Sequence, residues 1–209
     1  MHPVSGTPIL FIHGAFTRAE RWSPWISYFS AAGYTCIAPS LPAHDPPDPA
    51  RLRELTFDDY LAAMIAVADG LDRPPIVIGH SMGGLIAQHL AAATPCAALA
   101  LVSSAAPWRT GTTRQAMAYT LSYLMPVLAG RPIRANQKAA RTLVLHDLSP
   151  AEQLELAPIF AYESGKAYRT MVFGGAPIAP GAVTCPVLCV NGGADRLLRP
   201  SVGEDLAAF

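Results

Sequence analysis

Short apolar runs alternate with longer segments of helical spacing along most of the chain. Residues 8–13 (PILFIH) are an apolar run closed by Gly14 and predict a buried strand. Residues 22–32 have helical spacing, and Gly33 stands just past their end as a terminator. A second strand is predicted over 34–38 and stops at Pro39. The Pro-rich run 40–49 cannot continue either kind of element. Residues 56–69 predict a helix, with Thr56 as cap and Asp59 three residues on as its partner. PIVIG (75–79) predicts a third strand, and 82–93 a helix ended by Thr94 and Pro95. AALALVS (97–103) and CPVLCVN (185–191) predict a fourth and a fifth strand.

Strands alternating with helices imply an α/β fold with a mostly parallel, doubly wound sheet. The strands are apolar without alternation, as expected where both faces are buried. Right-handed crossovers put the strands beginning at Tyr34, Pro8, Pro75, Ala97 and Cys185 side by side in that order. The reversal of direction opens a crevice beside the third strand. Between Trp108 and Ala182 the rhythm breaks. Helices are predicted over 112–128, 133–145, 151–160 and 165–173, and no strand is expected there. The expected organisation is a core from 1–107 and 183–209, with 108–182 inserted as a helical lid.

Composition narrows the classes of function. A chain of 209 residues fits one domain with a small insertion, and 51% hydrophobic against 14% charged residues is enough for a full core. Net charge is zero and the charges are scattered, which argues against a nucleic-acid partner. No basic, apolar leader opens the chain, and Pro and polar residues break every apolar stretch, so neither a signal peptide nor a membrane span is expected. Cys36, Cys185 and Cys189 sit in apolar strand-like runs, and no His cluster accompanies the Cys185–Cys189 pair. With Cys96 they read as reduced structural thiols, which fit a cytoplasmic protein.

The chemistry centres on Gly79-His80-Ser81-Met82-Gly83, followed by Gly84. The bare G-x-S-x-G pattern is moderately specific, and its setting adds the rest. An apolar strand runs directly into it and an Ala-rich helix leaves directly after it, as a nucleophile elbow requires. Side chains at Gly79 and Gly83 would collide with neighbouring elements. Ser81 then stands proud of the sheet in a strained turn, with the N-terminus of the next helix aimed at the site. The Met82 amide is placed to stabilise an oxyanion. Acyl transfer needs a second donor from the loop after a neighbouring strand, and the Ala15 amide behind His13-Gly14 is the candidate. His13 reads as a turn-stabilising residue and not a base. Asp195, in Asn191-Gly192-Gly193-Ala194-Asp195 after the fifth strand, is placed to orient a catalytic imidazole.

The stretches ILFIHGAF, YTCIAPSLPAHD, IVIGHSMGG and CPVLCVNGGADRLLRP together resemble a capped, esterase-like protein of the α/β-hydrolase fold, in the family's order. The run HGAFTRAERW is similar to the HG-loop of plant-type esterases and hydroxynitrile lyases. The resemblance implies Ser81 as nucleophile, the Ala15 and Met82 amides as oxyanion hole, Asp195 as triad acid, and no metal or organic cofactor. Phe16, His80, Met117 and Tyr123 are the expected substrate-binding residues. Met117, Tyr119, Tyr123, Leu124 and Met125 of the lid fit an apolar acyl or alcohol group, and equally fit simple packing of the lid helices. Tyr162-Glu163-Ser164-Gly165 resembles a lid segment of some relatives and has no chemistry attached to it.

Two departures from the family's pattern stand out. The usual N-terminal strand pair is absent or vestigial. The family's catalytic His follows one more strand beyond the Asp, whereas His2, His13, His44, His80, His89 and His146 all precede Asp195. His44 and His146 are not expected to substitute. The expectation is therefore a C-terminally truncated hydrolase, lacking the last strand and helix and impaired in turnover. The strand at 185–191 would be left as an exposed edge open to self-association. Three functions follow: a serine hydrolase of a small-molecule acyl substrate; a non-hydrolytic lyase or haloperoxidase-like use of the fold; or a catalytically silent protein that keeps the pocket.

Overall fold

The computed structural model describes residues 6–108 and 111–209. The chain runs β1 (Pro8–Ile12), α1 (Ser23–Ala31), β2 (Thr35–Ile37), α2 (Pro49–Leu52), α3 (Phe57–Asp69), β3 (Ile76–His80), α4 (Met82–Ala93) and β4 (Ala98–Val102). It continues with α5 (Arg114–Ser122), α6 (Leu124–Leu128), β5 (Ile133–Arg134), α7 (Gln137–Ala139), α8 (Pro150–Leu156), β6 (Tyr162–Glu163) and α9 (Gly165–Phe173). It ends with β7 (Val187–Val190) and α10 (Ser201–Ala208).

Five strands form a wholly parallel sheet in the order β2-β1-β3-β4-β7, the order read from the sequence. Ile12 lies beside Gly79, Gly79 beside Leu101, and Leu101 beside Cys189. Strand order reverses between β1 and β3, so the loops leaving these two strands diverge at one point of the sheet edge. That is where an open α/β sheet binds its ligand.

Local signals explain the helices. Thr56 and Asp59 close a reciprocal capping box on α3, with Thr56 N donating to Asp59 Oδ2 (2.8 Å) and Asp59 N donating to Thr56 Oγ1 (3.3 Å). Ser164 Oγ accepts from Ala167 N at the start of α9. Gly174 ends that helix at φ +71°, a conformation that favours glycine.

The core has two layers. Leu10, Ile12, Val77, Leu99 and Leu101 face side chains of α3, α4, α9 and α10 in the larger cluster. Ile9, Phe11 and Ile78 face the other way, against Trp22 and the α1 residues Ile26 and Phe29. Burial on both faces holds for β1, whereas β7 is the exposed edge expected of the strand at 185–191. Val187, Leu188 and Val190 of β7 are 46%, 60% and 46% exposed. α10 packs on β7 and sends Val202 and Leu206 into the larger cluster, so it covers one side of the strand.

The segment between β4 and β7 also differs from expectation. The single helix predicted over 112–128 is two, parted at Tyr123. Pro126 has no N–H for the Ser122 carbonyl, so α5 cannot run on through it. Residues 133–134, read as the start of a helix, and 162–163, read as part of a lid-like segment without strand, pair as a two-residue antiparallel ribbon. No helix of the described residues is long and apolar enough to cross a membrane.

Candidate active site

The elbow between β3 and α4 has the geometry its sequence demands. Ser81 sits at φ +52°, ψ −120°, in the left-handed half of conformational space that a serine rarely adopts. Its backbone is fixed on both sides. Ser81 N donates to Val102 O (3.2 Å), and Ser81 O accepts from Gly84 N and Ala105 N (2.9 and 3.0 Å). The glycines are needed for space. A Cβ on Gly79 would run into Gly83 O and Gly84 Cα, and one on Gly83 into the carbonyls of Ile12 and His13. A side chain on Gly14 would fall 2.9 Å from His80 Nδ1 and 3.1 Å from Ser81 Cβ, so the loop after β1 lies directly against the serine.

That loop is held by His13, which is buried. Its Nε2 accepts from Leu41 N (2.9 Å), so Nδ1 carries the proton and donates to Gly14 O (2.9 Å). Burial and the neighbouring His44 hold His13 down at about 4, so it stays neutral at neutral pH. His13 thus stabilises the turn, as read from the sequence. Thr17 Oγ1 adds a second bond to Gly14 O at 2.8 Å. The Gly14–Ala15 peptide is thereby fixed. Among the described residues, neither the Ala15 nor the Met82 amide is taken by a protein acceptor.

Ser81 opens into a cavity of about 370 Å³ between the sheet and the inserted segment. Ala15, Phe16, His80, Tyr123 and Asp195 line it with Ser81, so the structure brings together most of the residues singled out from the sequence. The Met82 side chain points into the core, and its contribution to the site is its backbone. Met117, Leu124 and Met125 are the exceptions: they are 45%, 37% and 74% exposed and do not line the cavity. Ala116, Tyr119, Thr120 and Tyr123 form the inner stripe of this helical stretch, and position 117 falls outside it at 3.6 residues per turn.

Asp195 stands where the sequence puts it, on the loop after β7. Its Oδ1 accepts from Leu197 N (2.7 Å) and Leu198 N (3.0 Å). No described imidazole is hydrogen-bonded to it. His80 is the nearest in charge terms; burial lowers its affinity for a proton, and the Asp195 carboxylate opposes that only in part. His89 contacts the Ala176 carbonyl (3.1 Å). His146, on the cavity wall, donates from Nδ1 to Leu143 O (3.2 Å). Its Nε2 lies 3.1 Å from Asp147 Oδ1 without a hydrogen bond between them. His2 lies outside the described residues.

Tyr168 on the cavity wall and Glu163 behind it carry contacts that the sequence did not disclose. Tyr168 of α9 packs its ring 5.5 Å from Phe16 and 6.3 Å from Tyr123, closing an aromatic wall. Glu163 of β6 is fully buried behind that wall and accepts a hydrogen bond from the Phe16 amide at 3.2 Å. The sequence marked Tyr162-Glu163-Ser164-Gly165 only as lid-like. An acidic residue in a short polar run carries no sign of burial.

Comparison with known proteins agrees with this fold. Curated relatives include a pyrethroid hydrolase of Sphingobium wenxiniae, 31% identical over 87 residues, or 40% of this chain and 31% of the relative. A non-heme chloroperoxidase of Streptomyces lividans is 34% identical over 110 residues, or 50% of this chain and 39% of the relative. These matches span about a third of each relative's length. Among solved structures, a polyneuridine aldehyde esterase mutant superposes with a TM-score of 0.73 at 17% identity, over 98% of this chain and 87% of its own. A pyrethroid hydrolase superposes at 0.72 with 23% identity, over 98% and 84%. The sequence profile of the alpha/beta hydrolase family matches residues 9–209, and the chain belongs to that family.

Proposed function

We propose that the chain is a serine hydrolase acting on a carboxylic ester, thioester or similar acyl compound through an acyl-enzyme on Ser81. The Ser81 oxygen adds to the substrate carbonyl, and the charge that develops on the carbonyl oxygen is held by the Met82 and Ala15 amides. The bond to the leaving alcohol or thiol then breaks, and that group takes up the proton lost by Ser81. Water repeats the addition at the acyl carbon and releases the acid and free Ser81. No cofactor enters either half-reaction. Phe16, Tyr123 and His80 flank the serine and favour an apolar acyl or alcohol group. One observation carries the reading: a serine held at φ +52° at a cavity mouth, with the Gly14 loop against it and two uncommitted amides beside it. The similarity to a pyrethroid hydrolase supports it. The four free cysteines support a cytoplasmic setting.

Turnover by these described residues is proposed to be weak. Each described imidazole other than His80 is engaged away from Asp195, and His80 forms no hydrogen bond with it. A site with an oxyanion hole but without a triad imidazole retains about 10³–10⁴-fold catalysis over water. The test is intact-mass spectrometry after incubation with a fluorophosphonate. Ser81 should displace fluoride from phosphorus and gain the phosphonyl mass, and Ser81→Ala should gain none while keeping its fold. Equal labelling of the Ser81→Ala chain would remove Ser81 as nucleophile.

The similarity to a non-heme chloroperoxidase favours a second reading, a non-hydrolytic use of the same pocket. Halide-dependent oxidation or cyanohydrin cleavage that survives Ser81→Ala, with no ester turnover in the parent chain, would select it.

A further inference from the structure

Glu163 is fully buried, and its carboxylate is met by four donors. Oε2 accepts from the Phe16 amide (3.2 Å) and lies 3.2 Å from His44 Nε2. Oε1 accepts from Tyr60 Oη (2.8 Å) and from the Ser164 amide (2.7 Å). His44 Nδ1 faces the Pro42 carbonyl (3.1 Å), so the imidazolium form satisfies both ring nitrogens. Burial works against charge on both partners, but each outweighs it for the other: His44 is raised and Glu163 lowered. Three of the four donors come from the loop after β1, the loop after β2, and α3, while the fourth, Ser164, and the acceptor belong to the inserted segment. An ion pair this deep is a costly way to stabilise a fold, since apolar residues of similar volume often do as well.

What the carboxylate holds gives it a purpose. Phe16 follows Ala15 and sits at φ +65°, a left-handed conformation unfavourable for a phenylalanine. Both of its backbone polar groups are tied to the ribbon strand: its N–H to Glu163, and its carbonyl to the Ala161 amide at 2.8 Å. On the other side of Ala15, the Gly14 carbonyl is held by His13 and Thr17. In a trans peptide the Ala15 N–H points opposite to the Gly14 C=O. The direction of the Ala15 N–H is therefore set from both ends, and on the Phe16 side by a residue of the inserted segment.

We propose that Glu163 is a positioning residue, which through the Phe16 backbone aims the Ala15 N–H at the carbonyl oxygen of a substrate on Ser81. The oxyanion donor is then in place only while the inserted segment is seated on the β1 loop. This rests on the acyl-transfer reading of Ser81.

The experiment measures fluorophosphonate inactivation, separating the rate at saturation from the half-saturating concentration, beside the melting temperature. Glu163→Gln keeps the size of the side chain but removes the charge and puts an NH2 group where one carboxylate oxygen stood, so that it faces donors on that side, either Tyr60 and the Ser164 amide or His44 and the Phe16 amide. Its saturating rate should fall by about 10-fold or more, in the direction of losing an oxyanion donor, with the half-saturating concentration within about 2-fold of the parent. Tyr60→Phe removes one donor of the four and leaves the charge pair. It should fold as the parent does and slow the saturating rate by about 2–3-fold. A lower melting temperature with unchanged saturating rates in both variants overturns the positioning role and leaves a structural one. An effect confined to the half-saturating concentration overturns it as well. A parent chain that never labels at Ser81 overturns the acyl-transfer reading first, and this inference with it.

Discussion

The two halves of the candidate site are built to different standards. The half between β1 and β3 is closed on every side. The Gly79 and Gly83 positions have no room for a methyl group, and Glu163 ties the Phe16 loop to the inserted segment. The half that carries Asp195 follows β7, an exposed edge strand, through Gly192, Gly193 and Ala194, which are also exposed. The strain follows the packing. Phe16, Ser81 and Ser103 have positive φ around the first half, and no residue of 191–199 does. A strained backbone persists only where its surroundings over-determine it. The difference teaches that the proposed nucleophile and oxyanion donors are preorganised by the core, whereas the proposed acid is positioned by its own turn and by a bridge from residues 111–113 to the loop that follows it.

The same substitution made in each half tests that contrast most strongly. Gly83→Ala forces a methyl group into the Ile12 and His13 carbonyls and should destabilise the fold by about 1–3 kcal/mol. For a chain of this size that is a fall in melting temperature of about 2–4 °C per kcal/mol. Gly193→Ala meets nothing within 4 Å and should shift the melting temperature by less than about 1 °C. Equal losses from the two variants, read by calorimetry, would erase the distinction.

Protonation gives a second, smaller lever on the closed half. Glu163 faces His44, Tyr60, Tyr168 and, at longer range, His13. His44 is raised above its ordinary 6.5, so its contribution is complete below 6.5 and is lost as pH rises through its folded value. His13 is lowered to about 4. The unfolded chain takes that proton near 6.5 and the folded one does not, so stability falls as pH drops from 6.5 toward 4. His80 and His89, both lowered by burial, add to the acid limb, and the depressed Glu163 extends it below 4.5. The melting temperature should therefore peak near pH 6.5. Glu163→Gln should flatten the alkaline side, keep the acid limb between 6.5 and 4.5 that the lowered histidines supply, and remove its extension below 4.5. An alkaline limb unchanged in that variant would separate His44 from Glu163.

How much of this the sequence discloses follows the same division. The elbow is legible because its signals are consecutive: an apolar strand, then glycines at fixed offsets around Ser81, then an Ala-rich helix. The strand order is legible because crossover handedness leaves few alternatives. Met117 misleads because side-chain type says nothing about helix phase, and the cavity face of α5 is the one that carries Ala116, Tyr119 and Thr120. The ribbon of β5 and β6 has two residues per strand, too few to show alternation. Glu163 is illegible because its core partners Tyr60 and Phe16 lie 103 and 147 residues away, and burial of a carboxylate is decided entirely by what those segments donate.

The smallest expected effect is also the sharpest statement about the open half. Where a triad imidazole depends on its acid, changing Asp to Asn costs about 10⁴ in kcat, because the acid fixes the imidazole's tautomer and stabilises its charged form. Here the acid has no described imidazole bonded to it, and its Oδ1 is committed to the amides of Leu197 and Leu198. Asparagine keeps that oxygen, so Asp195→Asn preserves the turn and removes only the charge. Its fluorophosphonate labelling at Ser81 should stay within about 2-fold of the parent chain. The removed charge should be felt at His80, whose affinity for a proton Asp195 raises against burial, so the imidazole titration of His80 followed by NMR should move further down in the variant. A loss of labelling of about 10-fold or more would show that Asp195 already acts on Ser81 through His80 or a proton path by water, and the two halves of the site would then be one working unit.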